Sequence, residues 1–322
     1  MLIGFKKQGR RKRLVSSLNS RWYAARWVLS ENKATDNRKF DLSLPNLTKL
    51  AKYPAPVRLV AFLVTLALFW LPTAIPIYWL GNDPNLVTIL TMGLLFGGFL
   101  LLTPWWGKQV YRQPRLLQSY GLVGTRQNGI DLFKGLVIGL LMTLSLFALQ
   151  GLLGWLEFQT PSLALWRLMG EGLASALGIG LAEELVFRGW LLEELQRDYS
   201  PRLSLWTSAI IFALLHFTKP LPEMIRMLPA FPALLLLGLI LVWAKWSTRG
   251  RLGSSIGLHA GLVWGYYIIN VGQLVQYSGQ VSPWITGVDG NPLAGGMGLL
   301  FMGVLAYSKR QKTEGRRQKG RD

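Results

Sequence analysis

The sequence predicts an all-α, polytopic membrane protein, a bundle of about eight transmembrane helices. Three observations carry that expectation. The chain of 322 residues is 51% hydrophobic and 16% charged, too apolar for an ordinary soluble domain and too long for one span. Eight apolar segments succeed one another, each bounded by polar, Gly or Pro residues. Lys and Arg, which bring the formal charge to +19, gather at the two ends and in alternate connections.

Residues 1–56 are polar and basic, with no apolar run of signal-peptide length, so no cleaved secretory signal is expected. The first thirty residues have no acidic side chain and are rich in Arg and Ser, which also resembles an organelle transit peptide. Within them, RLVSSLNSRWYAARWVL has the makings of an amphipathic surface helix anchored by Trp22 and Trp27. The apolar segments lie at 57–80, 86–105, 130–156, 168–192, 203–217, 229–247, 254–276 and 293–308. The fifth is the shortest, below the roughly 20 residues of a straight crossing. A basic tail, 309–322, follows. Cysteine is absent, which excludes disulfides and thiolate chemistry.

Charge sets the orientation. Residues 1–58 hold 14 Lys or Arg and the tail from Lys309 holds 7. With the N-terminus in the cytoplasm, the connections after spans two, four and six carry Lys108, Arg112, Arg115, Arg126, Arg197, Arg202, Lys245, Arg249 and Arg251. The opposite connections carry only Arg167, Lys219 and Arg226. Both termini are therefore expected in the cytoplasm, which requires an even number of spans. In this setting the basic tails serve topology and attraction to anionic lipid, not nucleic-acid binding. The expected division is a basic N-terminal segment 1–56, a transmembrane domain 57–308 and the tail.

Chemistry centres on GIGLAEELVFRGWLLEEL at 178–195, where Glu183, Glu184 and Arg188 interrupt an apolar run. Each charge at membrane depth costs at least about 2.5–3.5 kcal/mol. In a helix Glu184 and Arg188 are i,i+4 partners. Glu183 lies about 100° away and needs another partner. The only histidines, His216 and His259, also fall in apolar segments. Either alone could be a helix–helix hydrogen-bond donor. At about 1.5 Å per residue, Glu183 and His216 fall roughly 15–20 Å from the cytoplasmic end and His259 roughly 10 Å, which allows one shared site in the inner half of the membrane. Such a set fits attack of water on an amide: a base, a second proton carrier and a donor for the oxyanion. The same three residues could instead bind zinc, as two histidines and a carboxylate from three helices.

EELVFR at 183–188, followed by Gly189, resembles the EExxxR motif of the CPBP family, the intramembrane glutamic endopeptidases that include CAAX prenyl proteases and bacteriocin-processing, Abi-like members. FALLH at 212–216 is similar to its FxxxH motif, with Phe212 and His216, and His259 to the histidine of its HxxxN motif. The resemblance covers about 130–276. It implies that Glu183 activates water with His216, that Glu184, Arg188 and Phe212 organise the site, and that His259 helps form the oxyanion hole, with no metal or other cofactor. It also implies an eight-helix bundle whose cavity opens to the cytoplasm, and a membrane-embedded or lipid-anchored peptide or protein as substrate, prenylated CAAX proteins being the best-known example. The bacterial plasma membrane and a thylakoid or other organelle membrane both fit. Val263 stands where the family commonly has Asn, and losing one oxyanion donor costs about 10²–10³ in rate. Trp264, Tyr266 and Asn270 are candidate substitutes. The rival reading is a non-proteolytic membrane scaffold or chaperone that keeps the fold and uses the cavity to hold a partner.

Overall fold

The computed structural model describes residues 47–161 and 164–319. The amphipathic segment and the transit-peptide reading near the N-terminus lie outside them. Each apolar segment is built on a helix: α1 Ala55–Leu80, α2 Pro84–Gln109, α3 Arg126–Leu152, α4 Leu165–Glu184, α6 Pro201–Leu215, α7 Phe231–Trp246, α8 Gly253–Val271 and α9 Gly296–Lys319. Between α4 and α6 the chain passes through a π-helical turn, Leu185–Leu191, into α5, Leu192–Asp198. Local chemistry fixes several starts. The Asp83 carboxylate accepts from the N–H groups of Asn85 and Leu86, and Thr125 and Ser200 cap α3 and α6 in the same way.

The chain is an all-α membrane protein. Four stretches, Ala55–Leu80, Pro84–Gln109, Arg126–Leu152 and Leu221–Trp246, are long and apolar enough to cross a bilayer, and Pro201–Leu215 is a shorter apolar helix. The rest fall below that standard for visible reasons. Helix α4 carries Arg167, Glu171, Glu183 and Glu184, α8 is rich in Gly and Ser, and α9 runs on into Lys309, Arg310 and Lys312. Two expectations are corrected. Segments three and seven stop short, α3 at Leu152 and α8 at Val271, and the residues beyond form an antiparallel pair, β1 Leu156–Phe158 with β2 Val275–Tyr277. Gly154 and Gln273 take positive φ there, 73° and 50°, which ends each helix. The tail expected from 309 instead continues α9 to Lys319, held by a hydrogen bond of 3.1 Å from the Thr313 hydroxyl to the Trp243 carbonyl.

The bundle has two distinct ends. At the basic end the start of α1 meets α5, where Arg58 Nε donates to Glu194 Oε2 at 3.1 Å and the Tyr111 hydroxyl to the same oxygen at 2.7 Å. Arg251 pairs there with Asp131 at 2.6 Å, and Lys245 with Glu193 at 2.7 Å. Lys245 and Arg251, read from sequence as loop charges, are thus also structural ones. At the opposite end lie the β1–β2 pair and Gln150, whose Nε2 donates to the Thr286 carbonyl at 3.4 Å.

Close helix contacts set the register of the interior. Glycine recurs at every fourth residue of α8, at 253, 257, 261 and 265, and at 135 and 139 of α3. A Cβ on Gly135 would lie 2.7 Å from Leu258 N, and one on Gly139 2.7 Å from Leu262 N, so the two backbones touch. Ile256 and Ala260 of α8 face Gly180 of α4. That packing turns His259, the residue before Ala260, toward the acidic end of α4.

Candidate active site

The site forms where α4 gives way to the π turn. Extra residues in such turns free carbonyls, and neighbouring helices take them up. Lys245 Nζ donates to the Arg188 carbonyl at 2.7 Å, and the Ser208 hydroxyl to that of Phe187 at 3.4 Å. The outer side of the turn is fixed by Trp190, whose ring centroid lies 4.9 Å from that of Phe62.

Glu184 and Arg188, both fully buried, pair as the spacing predicts, with Arg188 Nη1 donating to Glu184 Oε1 at 2.9 Å. Arg188 Nη2 donates to the Gly238 carbonyl at 3.2 Å, and its guanidinium lies 4.1 Å from the centre of the Phe212 ring. Phe212 also packs on His216, ring centroids 4.5 Å apart. So the motif phenylalanine sits between the ion pair and the histidine.

Each histidine is held through Nδ1. That of His216 lies 2.8 Å from the Phe212 carbonyl, and that of His259 lies 3.0 Å from Glu184 Oε1. A carbonyl only accepts, so His216 carries its proton on Nδ1 and turns an accepting Nε2 outward. Glu183 Oε2 faces both rings, 3.9 Å from His216 Nε2 and 3.9 Å from His259 Nε2, and has no hydrogen-bond partner among the described residues. The separation leaves room for a water or a substrate oxygen to bridge the groups. Glu183 and His216 are each 32% exposed, whereas His259 is 6% exposed. All six residues named from sequence, Glu183, Glu184, Arg188, Phe212, His216 and His259, come together.

A cavity of about 410 Å³ begins at His216 and His259. Its walls are mainly apolar, from Met142, Leu146, Leu234, Leu237, Phe301 and Met302. Val263 lines it without adding a polar group, and Tyr266 lines it too. Trp264 is otherwise engaged, its indole N–H donating to the Met169 carbonyl at 3.0 Å, and Asn270 is exposed outside the cavity wall. Of the three substitutes weighed for the missing Asn, Tyr266 is the one in place.

The cavity's direction corrects an expectation. It runs from the histidines to Lys219, Met227, Asn291 and Leu293, in the connections that follow α6 and α8, away from the basic end. The cavity mouth and the basic end of the described helices therefore lie at opposite ends of the bundle.

Three partners of the site carried no motif in the sequence: Gly238, Lys245 and Ser208. Gly238 offered a faint signal as a lone glycine in the run LLLLGLILV, where its missing side chain admits Ala209. Among the described residues no group of three His, Asp or Glu side chains has the spacing of a metal site. Zinc bonds of about 2.0–2.1 Å would bring ligand atoms to about 3.3 Å, closer than the 3.9 Å between Glu183 and each ring.

Residues 164–265 match the family model described as Type II CAAX prenyl endopeptidase Rce1-like, consistent with the CPBP family. The match spans α4 to the middle of α8 and includes the six residues Glu183, Glu184, Arg188, Phe212, His216 and His259. It supports a protease-type function. Neither a curated protein nor a solved structure matches the chain.

Proposed function

We propose that this protein is an intramembrane endopeptidase that hydrolyses peptide bonds of membrane-associated substrates with water activated by Glu183 and His216. The observation that carries the reading is the position of Glu183 Oε2, facing the Nε2 atoms of two histidines that line an apolar cavity. A water placed there donates one proton toward Glu183 and the other toward His216 Nε2. As Glu183 takes its proton, the water oxygen bonds to the scissile carbonyl carbon and the carbonyl electron pair moves to oxygen. Collapse of that oxyanion breaks the C–N bond. The proton held by the Glu183–His216 pair passes to the leaving nitrogen, giving an amine and a carboxylic acid.

His259 is proposed to stabilise the oxyanion. With Nδ1 donating to Glu184, its Nε2 is a donor only in the doubly protonated ring. Tyr266 is proposed as the second donor in place of the Asn that Val263 replaces. Glu184, Arg188 and Phe212 act through the others, as positioning residues.

The chemistry is proposed to need no metal or other cofactor, and zinc held by Glu183, His216 and His259 is the alternative. We further propose eight crossings with both termini in the cytoplasm and the basic ends on anionic lipid, not nucleic acid. One observation favours the scaffold reading: Val263 gives the cavity wall an apolar group where a hydrolase gains from a donor. Capture of bound peptides by Glu183→Gln in native membranes tests the two. The peptidase reading expects uncleaved peptides to accumulate on the variant and fragments on the wild type. Equal capture without fragments on either would leave the scaffold.

A further inference from the structure

We infer that Lys245 and Glu193 are a positioning pair for the site: they anchor the Arg188 carbonyl of the π turn and, through Arg188 and Glu184, aim His259. The aim of His259 stands on geometry. That it serves peptide hydrolysis rests on the peptidase reading above.

Lys245 occupies the last turn of α7. A lysine at the end of an apolar helix ordinarily runs its stem outward and leaves the ammonium in water. This one turns inward and is 1% exposed. A buried ammonium is costly unless acceptors surround it. Two meet it here, the Arg188 carbonyl and Glu193 Oε1, each at 2.7 Å. Glu193 is 28% exposed, so its carboxylate keeps water on its outer side. The pair joins α7 to the π turn and to the first turn of α5.

The ion pair of the site does not fix itself. Arg188 Nε and Glu184 Oε2 are buried without a hydrogen-bond partner among the described residues, which leaves the orientation of the pair open. Helix α7 closes that freedom by gripping Arg188 at both ends. The Gly238 carbonyl takes the guanidinium at 3.2 Å, and Lys245 takes the backbone carbonyl. Residues 238 and 245 are about two turns apart and so share one face of α7. Glu184 Oε1 then accepts from Arg188 Nη1 at 2.9 Å and from His259 Nδ1 at 3.0 Å. Because both bonds end on one oxygen, a shift of Arg188 moves the anchor of His259. The 3.9 Å between His259 Nε2 and Glu183 Oε2 moves with it. His216 lies outside this chain of bonds, held by the Phe212 carbonyl of its own helix.

A buried ion pair can often be exchanged for apolar side chains without loss of stability. Stability alone therefore does not call for Lys245 at this place, whereas fixing one conformation of the turn does.

The chain has two histidines, so isotopic labelling of histidine nitrogen shows the imidazoles of His216 and His259 alone. Spectra of the full chain in detergent are read without substrate, with His216→Gln to assign the signals. Lys245→Met removes both bonds. Lys245→Met with Glu193→Leu removes both charges and covers the case in which the single variant, which strands Glu193, does not fold. Lys245→Arg keeps a cation with donors for both acceptors. In both Met variants the His259 Nδ1 signal should move to that of a ring not bonded to Glu184, with His216 unchanged. The kcat for a quenched fluorescent apolar peptide should fall about 10²-fold, the cost of a misplacement of about 1 Å, with KM little changed. Lys245→Arg should restore signal and rate. A wild-type His259 signal in either Met variant overturns the inference, as does Lys245→Arg behaving like Lys245→Met. Equal disturbance of His216, or loss of the fold in the double variant, makes the pair merely structural and overturns it too. An unmoved His259 signal sinks this inference whatever the activity. A moved signal in a protein whose wild type cleaves no peptide sinks only the peptidase reading.

Discussion

Adjacent carboxylates meet opposite fates at this site. Glu184 is fully buried and shared between Arg188 and His259, at 2.9 and 3.0 Å, whereas the partnerless Oε2 of Glu183 faces two imidazoles. Substitutions should part them. Glu183→Gln keeps shape and should leave thermal unfolding unchanged while removing the base, worth about 10²–10⁴ in rate. Arg188→Ala strands a buried carboxylate and should cost about 3–5 kcal/mol of stability, read from unfolding in detergent. Full activity in Glu183→Gln would remove it from the chemistry. Val263→Asn supplies a donor one turn past His259 and should raise the rate of peptide hydrolysis by up to about 10²–10³ with little change in KM. Tyr266→Phe should lower the wild-type rate and cost less in the Val263→Asn background; an unchanged wild-type rate would take Tyr266 out of the oxyanion hole. These side chains were legible in the sequence because a charge or histidine inside an apolar run is costly, and few residues there bear one. Gly238, Ser208 and Lys245 were not, since a backbone carbonyl leaves no mark in sequence and Lys245 read as an ordinary cation at a helix end.

Helix existence followed from apolar runs, but the devices that aim the helices did not. The π turn at Leu185–Leu191 has no periodic signature, because its extra residue is stabilised by groups from α6 and α7 far away in sequence. The ends of α3 and α8 were overrun because apolar residues continue into β1 and β2, and only the turn at Gly154 and Gln273 stops them. The glycine ladder of α8 was in plain view, yet composition alone does not say which helix it meets. Its role gives a test. Gly257→Ala puts a methyl group against the Leu132 carbonyl of α3, backbone that cannot step aside, and should destabilise the protein by about 1–3 kcal/mol. Gly178→Ala in α4 meets nothing within 4 Å and should be neutral or slightly stabilising. Detergent unfolding of both variants checks the pair, and equal stability would mean that α3 and α8 do not pack this closely. Since a shift of α8 would disturb its packing on Gly180 of α4, which aims His259, Gly257→Ala should also slow hydrolysis.

At the scale of the whole molecule, charge and cavity impose a joint constraint that neither imposes alone. The sequence told where Lys and Arg fall, and that depends only on order along the chain. Which end of the bundle holds the cavity depends on how the α6–α7 and α8–α9 connections fold over α3, and no local pattern records it. Orientation can therefore be measured apart from chemistry. A reporter fused after Asp322 and one inserted within 81–85 lie at the ends of α9 and α1 on opposite sides of the proposed bundle. Because basic residues crowd the start of α1 and the last turns of α9, the reporter after Asp322 should be active only as a cytoplasmic one and that within 81–85 only as an exported one. Replacing Arg112, Arg115, Arg249 and Arg310 together by Gln should weaken that bias and yield a mixed population, whereas replacing Arg167 and Arg226 should change nothing. An exported reporter after Asp322 in the wild type would overturn the proposed orientation. Both reporters on one face would overturn the even placement of the spans as well.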